Sequence, residues 1–310
     1  MKFHKILLLG YDGSELEEKY WQRVDAISDE KVMLATDDES LDSQLKDADC
    51  LLVKLGAKVP SEIIDKAPEL KYIGMLGTGF GGIDIEYAAS KGITVCNIAD
   101  YATQGVAEFT FGVILEQLRE LERGKQQAKD GDYSEATFTG TEIGNKNFGV
   151  VGLGNIGART AEIAKGFGAK VSYWSQNKKE GFDYLEIDEL LKESDIITLN
   201  LALTAETDGF LSKERIGMVK KGALVVNPSP MELVDLDALV ARLGENDLIF
   251  ILDHSDEMTG EQLAKLKPFK NCIIYPPIAY TTHEATELKK GVFVGNLENY
   301  LEKEPTNKVN

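Results

Sequence analysis

Short apolar runs alternate with longer stretches of helical spacing along nearly the whole chain, and they form two successive series. Residues 6–9, 31–35, 50–55, 72–76 and 93–96 make up the first. They read as near-continuous hydrophobic runs of strand length, as expected for parallel strands covered on both faces. Residues 106–123 then place Val106, Phe109, Val113, Leu115, Leu118 and Leu121 at helical intervals, which predicts one helix long enough to connect two units. A second series follows at residues 148–151, 170–174, 196–201, 223–227, 248–252 and 271–275. A closing helix is predicted over residues 282–301, and the polar tail 302–310 is expected to fray. Strands alternating with helices in two series predict an α/β chain with two doubly wound parallel sheets. A length of 310 residues, 43% of them hydrophobic, suits two buried cores.

The second series opens on Val150-Val-Gly-Leu-Gly-Asn-Ile-Gly157. Gly-x-Gly-x-x-Gly is the spacing with which a backbone wraps a dinucleotide pyrophosphate. Gly152 permits the tight strand-to-helix turn, Gly154 leaves room for the phosphates, and Gly157 lets the next helix pack close to the strand. The amides of Asn155 and Ile156 then face the anion at a helix N-terminus. Chance matches to this spacing are common, so the context carries the argument: a buried strand precedes it, a small-faced helix stopping near Gly166 and Gly168 follows, and residues 170–174 close a βαβ unit.

Charge narrows the function classes. With 52 acidic against 34 basic side chains the formal net charge is −18, so the average surface repels nucleic acid and anionic membranes. No apolar run approaches the length of a membrane span, and residues 1–5 lead straight into a strand without a cleavage pattern, which predicts a cytoplasmic protein. Cys50, Cys96 and Cys272 are scattered among apolar residues, as reduced core cysteines would be, and no metal site is expected.

Several blocks in order resemble the D-2-hydroxyacid dehydrogenase family. They are Leu70-Lys-Tyr-Ile, Gly77-Thr-Gly-Phe-Gly-Gly-Ile-Asp84, Gly92-Ile-Thr-Val-Cys-Asn97, Val106-Ala-Glu108, the glycine motif, Leu203-Thr-Ala-Glu-Thr207, Asn227 to Asp235, Asp253, and Pro276 to Ala285. The resemblance implies two Rossmann-like lobes around a cleft. A discontinuous substrate lobe would span residues 1–99 and 284–310, and an NAD(P)-binding lobe residues 100–283. It also implies three catalytic side chains: an arginine on the substrate, a histidine moving a proton, and a glutamate orienting that histidine. This chain lacks them. The arginine's segment reads Asn227-Pro-Ser-Pro-Met-Glu-Leu-Val-Asp235, with Pro230 in its place; the histidine's reads Pro276-Pro-Ile-Ala-Tyr-Thr-Thr-His-Glu-Ala285, with Pro277 in its place. Met258 falls at the glutamate, unless the register slips to Glu257. A proline side chain neither clamps a carboxylate nor exchanges a proton, so ordinary hydroxy-acid oxidation is expected to fail.

Other groups are candidates for the lost roles. By the resemblance Asp253 and Asn227 would lie near the cofactor, so His254 at the same strand end is either a proton-handling group or a hydrogen-bonded loop residue. Lys54 and Lys58 follow an apolar strand, and Lys54 in particular is either an anion contact or a solvated lysine. The turn Gly77, Thr78, Gly79 offers backbone amides for a carboxylate. Tyr101, Gln104 and Tyr280 either line a pocket or pack as core edges. His283 is expected to cap a helix or lie on the surface, and His4 to be surface.

Cofactor choice turns on Ser175, where an NAD enzyme would carry an acid for the ribose hydroxyls. Ser175, Gln176, Lys178 and Lys179 remove repulsion against a 2′-phosphate, although the arginine usual in NADP-using relatives is Gln176. NADP is therefore favoured slightly over NAD. Two functions remain open: an NAD(P)-dependent oxidoreductase with altered chemistry on a small, anionic substrate, or a catalytically silent dinucleotide-binding sensor. The resemblance implies a homodimer, with the apolar face of residues 106–121 and the segment 126–140 at its interface.

Overall fold

The computed structural model describes residues 1–54 and 56–310, without the side chain of Glu257. The chain divides into two compact units, residues 1–101 with 283–310 and residues 102–282.

The first unit holds a five-stranded parallel sheet: β1 (Phe3–Leu9), β2 (Ser28–Leu34), β3 (Cys50–Val53), β4 (Tyr72–Met75) and β5 (Thr94–Cys96), in the order β2-β1-β3-β4-β5. Successive side chains of a strand point to opposite faces. Accordingly Leu7, Leu9, Leu51 and Val53 enter one core, while Ile6, Leu8, Cys50 and Leu52 enter the other with Trp21 and Val24 of the helix Glu18–Ala26 and Phe293, Val294 and Leu297 of the helix His283–Leu301. The strand order reverses between β1 and β3, the place where open α/β sheets receive ligands at their carboxyl ends.

The second unit holds seven strands: β6 (Asn147–Val151), β7 (Lys170–Trp174), β8 (Asp183–Tyr184), β9 (Ile196–Leu199), β10 (Ala223–Asn227), β11 (Leu248–Leu252) and β12 (Cys272–Ile274). Their order is β12-β11-β10-β9-β6-β7-β8, with every pairing between adjacent strands parallel. Val150, Ile196, Leu224 and Val226 face one core; Val151, Ile197, Ala223 and Val225 face the other. The switch point here lies between β6 and β9, and the glycine turn follows β6.

Two expectations need correction. The connecting helix is not continuous over 106–123: it runs Thr103–Arg119 and a second helix runs Leu121–Lys129, because Glu120 adopts a left-handed φ of 51° that no helix interior tolerates. The tail does not fray. Val309 N–H bonds to Val95 O at 2.9 Å, Val95 N–H to Asn310 Oδ1 at 2.9 Å, and Cys96 bridges Lys308 antiparallel. Edge strand β5 has unpaired backbone groups on its outer side, and the tail satisfies them. The two-residue strand β8, too short for a period, had no sequence signal. The three cysteines are buried and free, as their apolar neighbours predicted; burial pushes the Cys272 thiol up to about 12.

Candidate dinucleotide and substrate sites

The glycine turn is sterically committed. Gly152 has φ 92°, and a Cβ there would stand 2.5 Å from Asn200 O. At Gly157 a Cβ would stand 1.9 Å from Gly152 O, closer than any real carbon contact, so the helix Asn155–Gly166 packs this tightly only because the position is glycine. Gly154 is different: nothing in the chain lies within 4 Å of a Cβ built there. Its freedom faces outward at the helix N-cap, with Asn155 exposed and Ile156 half-buried in the first turn. Two glycines thus serve the chain's own packing and one keeps open space at a positive helix end. That is the cradle a dinucleotide pyrophosphate requires, and it fits the group.

At the end of β7, Ser175 is half-buried, and Gln176 and Lys178 are exposed. Gln176 Nε2 donates to Glu206 Oε2 at 2.9 Å, and the Lys178 ammonium lies over the Tyr184 ring at 4.0 Å from its centroid.

The segment after β10 is rigid and internally satisfied. Asn227 is fully buried; its Oδ1 accepts from Ser229 N–H at 3.1 Å, and its Nδ2 contacts the Met231 sulfur at 3.4 Å. Ser229 Oγ donates to Leu199 O at 3.0 Å. Pro230, half-buried, precedes the short turn Met231–Leu233 with an extended ψ of 143°. Asn227 therefore holds the proline segment together. Asp253, 1% exposed, accepts from the Ile278 amide at 3.0 Å and the Ala279 amide at 3.2 Å, fixing the loop that carries Pro277. Burial raises the Asp253 carboxyl above its ordinary value, with the two amides pulling partly the other way. His254 is half-buried just beyond β11 and precedes the turn Ser255–Glu257. Met258 packs against the hydrophobic core, the environment a thioether prefers and a carboxylate avoids. The side chain of Glu257 lies outside the described residues. Tyr280 is 36% exposed.

In the first unit, Lys54 follows β3 and Glu15 follows β1, so the two meet at the switch point of that sheet. Lys54 Nζ lies 2.8 Å from Glu15 Oε1, with the glutamate side chain only 6% exposed and the lysine 45%. Lys54 is thus an oriented cation with an exposed flank, and its bond to Glu15 raises its pKa. Nothing periodic in the sequence marks Glu15; only its place just after the first strand's turn could have flagged it. Lys58 is exposed. The turn Gly77, Thr78, Gly79 ends β4 and is tied to the next strand by Thr78 Oγ1 to Ile98 O at 2.9 Å and Asn97 Nδ2 to Thr78 O at 2.7 Å. The amides of Thr78 and Gly79 donate to no group among the described residues. Tyr101 packs at the edge of the core beneath the Lys289 ammonium, 5.5 Å from its ring centroid. Gln104 belongs to the second unit, where it accepts from Arg159 Nε at 2.7 Å. His283 is exposed as the first residue of its helix. Among the described residues no helix is long and apolar enough to cross a membrane.

Comparison with known proteins bears on the family and the fold. A family model described as D-isomer specific 2-hydroxyacid dehydrogenase, NAD binding domain, matches residues 111–279. A hydroxypyruvate reductase of Blautia hydrogenotrophica is 32% identical over 289 residues, covering 89% of each chain. Among solved structures, an acyclic imino acid reductase in complex with NADPH and D-Arg is 26% identical with a TM-score of 0.85, covering 99% of this chain and 100% of that one. A D-lactate dehydrogenase of Aquifex aeolicus, complexed with NAD and lactic acid, is 29% identical with a TM-score of 0.82, covering 96% of each.

Proposed function

This chain belongs to the D-isomer-specific 2-hydroxyacid dehydrogenase family, and from that premise we propose that it is a nicotinamide-dependent reductase whose substrate arrives already protonated, an imino acid rather than a 2-oxo acid. The observation that carries the reading is the pair Pro230 and Pro277 in rigid, internally satisfied segments where the family's arginine and histidine would stand. When bound, the reduced cofactor supplies a hydride. A ketone that accepts hydride also needs a proton on oxygen, a service worth roughly 10²- to 10⁴-fold from a positioned acid. An iminium already carries its proton on nitrogen: hydride adds to carbon, the C=N π pair moves to nitrogen, and a neutral amine results with no proton donor required. The family's chemistry is thereby retained without its histidine. The similarity to an acyclic imino acid reductase supports this reading.

The residues assigned to the substrate's carboxylate are Lys54, oriented by Glu15, and the open amides of Thr78 and Gly79 beside Gly77; Tyr101 and Tyr280 complete the candidate contacts, with His254 the remaining proton-handling group. The dinucleotide is assigned to Gly152, Gly154, Asn155, Ile156 and Gly157, with Ser175, Gln176 and Lys178 at its adenosine end, and NADP is favoured over NAD. Asn227 and Asp253 are assigned to holding the loops around it. The same reading includes a cytoplasmic homodimer: the helix Leu121–Lys129 buries none of its residues and Tyr133 is 83% exposed, which leaves this arm available to a second copy.

The competing reading is a silent dinucleotide-binding sensor, favoured by the closure of Asn227, Ser229 and Asp253 upon themselves. Oxidation of NADPH followed at 340 nm with 2-oxo acids, with and without an amine, separates the two. Turnover that appears only when amine and oxo acid are combined supports the reductase. Equal turnover without amine overturns the imino-acid reading, and tight cofactor binding with no turnover on any combination overturns the enzyme.

A further inference from the structure

The segment that follows β7 is not a free loop. The Tyr173 hydroxyl, on a side chain with no solvent exposure, donates to Lys179 O at 2.5 Å and accepts from Lys179 N–H at 2.6 Å. One hydroxyl thus spends its donor and an acceptor on both backbone groups of a single residue six positions on, pinning that residue beside the carboxyl end of the strand. From this fixed point the Lys179 side chain turns back to the glycine turn, where its ammonium donates to Leu153 O at 2.6 Å, the carbonyl between Gly152 and Gly154. Two other polar side chains of the segment are directed elsewhere: Gln176 to the Glu206 carboxylate and Lys178 over the Tyr184 ring on the edge strand. Of the two cations after Ser175, only Lys179 is placed at the nucleotide cradle.

We propose that Lys179 is the residue that recognises the 2′-phosphate of an NADP-type dinucleotide, and that Tyr173 is its positioning residue. The inference rests on the NADP preference proposed above and deepens it. The phosphate is a dianion near neutral pH, and Ser175 lacks the charge that would repel it. A lysine whose backbone is already ordered loses little further freedom on binding, so its charge-assisted hydrogen bond is retained as affinity. Its short bond to Leu153 O shows that the ammonium reaches the turn without any change of backbone. Glu206, bonded to Gln176 of the same segment, is a negative group that works against the phosphate.

Binding of NADPH, NADH, 2′,5′-ADP and 5′-AMP to the purified protein, measured calorimetrically, tests the assignment without reference to turnover. The wild type is expected to prefer NADPH over NADH and 2′,5′-ADP over 5′-AMP. Lys179→Ala is expected to weaken NADPH and 2′,5′-ADP by about 10- to 100-fold and to leave NADH and 5′-AMP within about twofold. Tyr173→Phe is expected to weaken the phosphorylated pair by about threefold to tenfold, with Glu206→Gln shifting preference further toward NADPH. A wild type that prefers NADH defeats the NADP reading itself. A wild type that prefers NADPH but keeps that preference in Lys179→Ala overturns only the present assignment, as does an equal loss on all four ligands. The Lys179 side chain is exposed, so the variant is expected to fold; an unchanged urea midpoint confirms it.

Discussion

Two turns of one sheet, both at carboxyl ends of parallel strands, have been held to different standards. The turn after β6 keeps glycine where a Cβ would stand 1.9 Å or 2.5 Å from backbone oxygen and keeps open space at Gly154. The segment after β10 keeps its architecture through Asn227, Ser229 and Leu199, and carries Pro230 where the resemblance places an arginine. Holding a dinucleotide is a matter of backbone shape, which the fold itself enforces. Moving a proton is a matter of single side chains, which the fold does not need. A dinucleotide cradle and a set of reactive side chains depend on different parts of such turns, so a fold can hold the one without the other.

The largest expected effect separates the glycines. Gly157→Ala forces a methyl into Gly152 O and is expected to cost about 3 kcal/mol or more, with dinucleotide affinity lost alongside. Gly154→Ala meets no atom of the chain, so its urea midpoint should stay within about 0.5 kcal/mol of wild type while affinity falls by at least about tenfold. If Gly154→Ala binds normally, the open space is not the cradle. Next, Pro230→Arg, Met258→Glu and Pro277→His together are expected to raise reduction of glyoxylate or hydroxypyruvate by about 10²-fold or more over the wild type; no gain in steady-state rate would show that more than these side chains has changed.

A third effect concerns pH. Burial raises the folded Asp253 carboxyl above the value of about 3.9 it takes in an unfolded chain. Between those two values the native protein binds more protons than the unfolded one, so this group's contribution to stability is present at low pH and is lost as pH rises through the window. Asp253→Asn keeps an acceptor for the Ile278 and Ala279 amides and should flatten that part of the Tm-against-pH curve; an unchanged slope would assign the amide-holding role no charge cost. The smallest effect is at Lys54 and Glu15. With the lysine 45% exposed, Lys54→Gln is expected to change stability by under about 1 kcal/mol, yet to raise KM for an acidic substrate with kcat little altered. A fall in kcat alone would place Lys54 outside carboxylate binding.

The βαβ unit around the glycine motif was legible in the sequence because its constraints are local: a buried run, three glycines at fixed spacing, and a helix that stops where Gly168 takes φ 80°. Strands 170–174, 223–227 and 248–252 coincide with β7, β10 and β11, and the last two are the near-continuous buried runs that declare themselves in a sequence. Pro230, Met258 and Pro277, at the positions where the resemblance places the catalytic side chains, are read directly from the sequence. The break at Glu120 was not legible, because the apolar spacing runs on through a residue whose left-handed backbone carries no sequence mark. The docked tail was hidden for another reason: its polar residues look solvated until the open edge of β5 is there to receive them.

Composition and order by themselves determined that this chain would build two parallel sheets and carry a glycine turn of dinucleotide-binding spacing. Only the tertiary structure decided which partners within the chain its polar side chains take. Asn227 and Asp253 proved to be bonded inward, Lys54 to be oriented by a glutamate 39 residues earlier, and Lys179 to be pinned by a buried tyrosine at the glycine turn. The physical reason is range. Burial and backbone shape follow from neighbours along the chain, whereas the partner of a polar atom is chosen by whatever the fold brings within three ångströms of it.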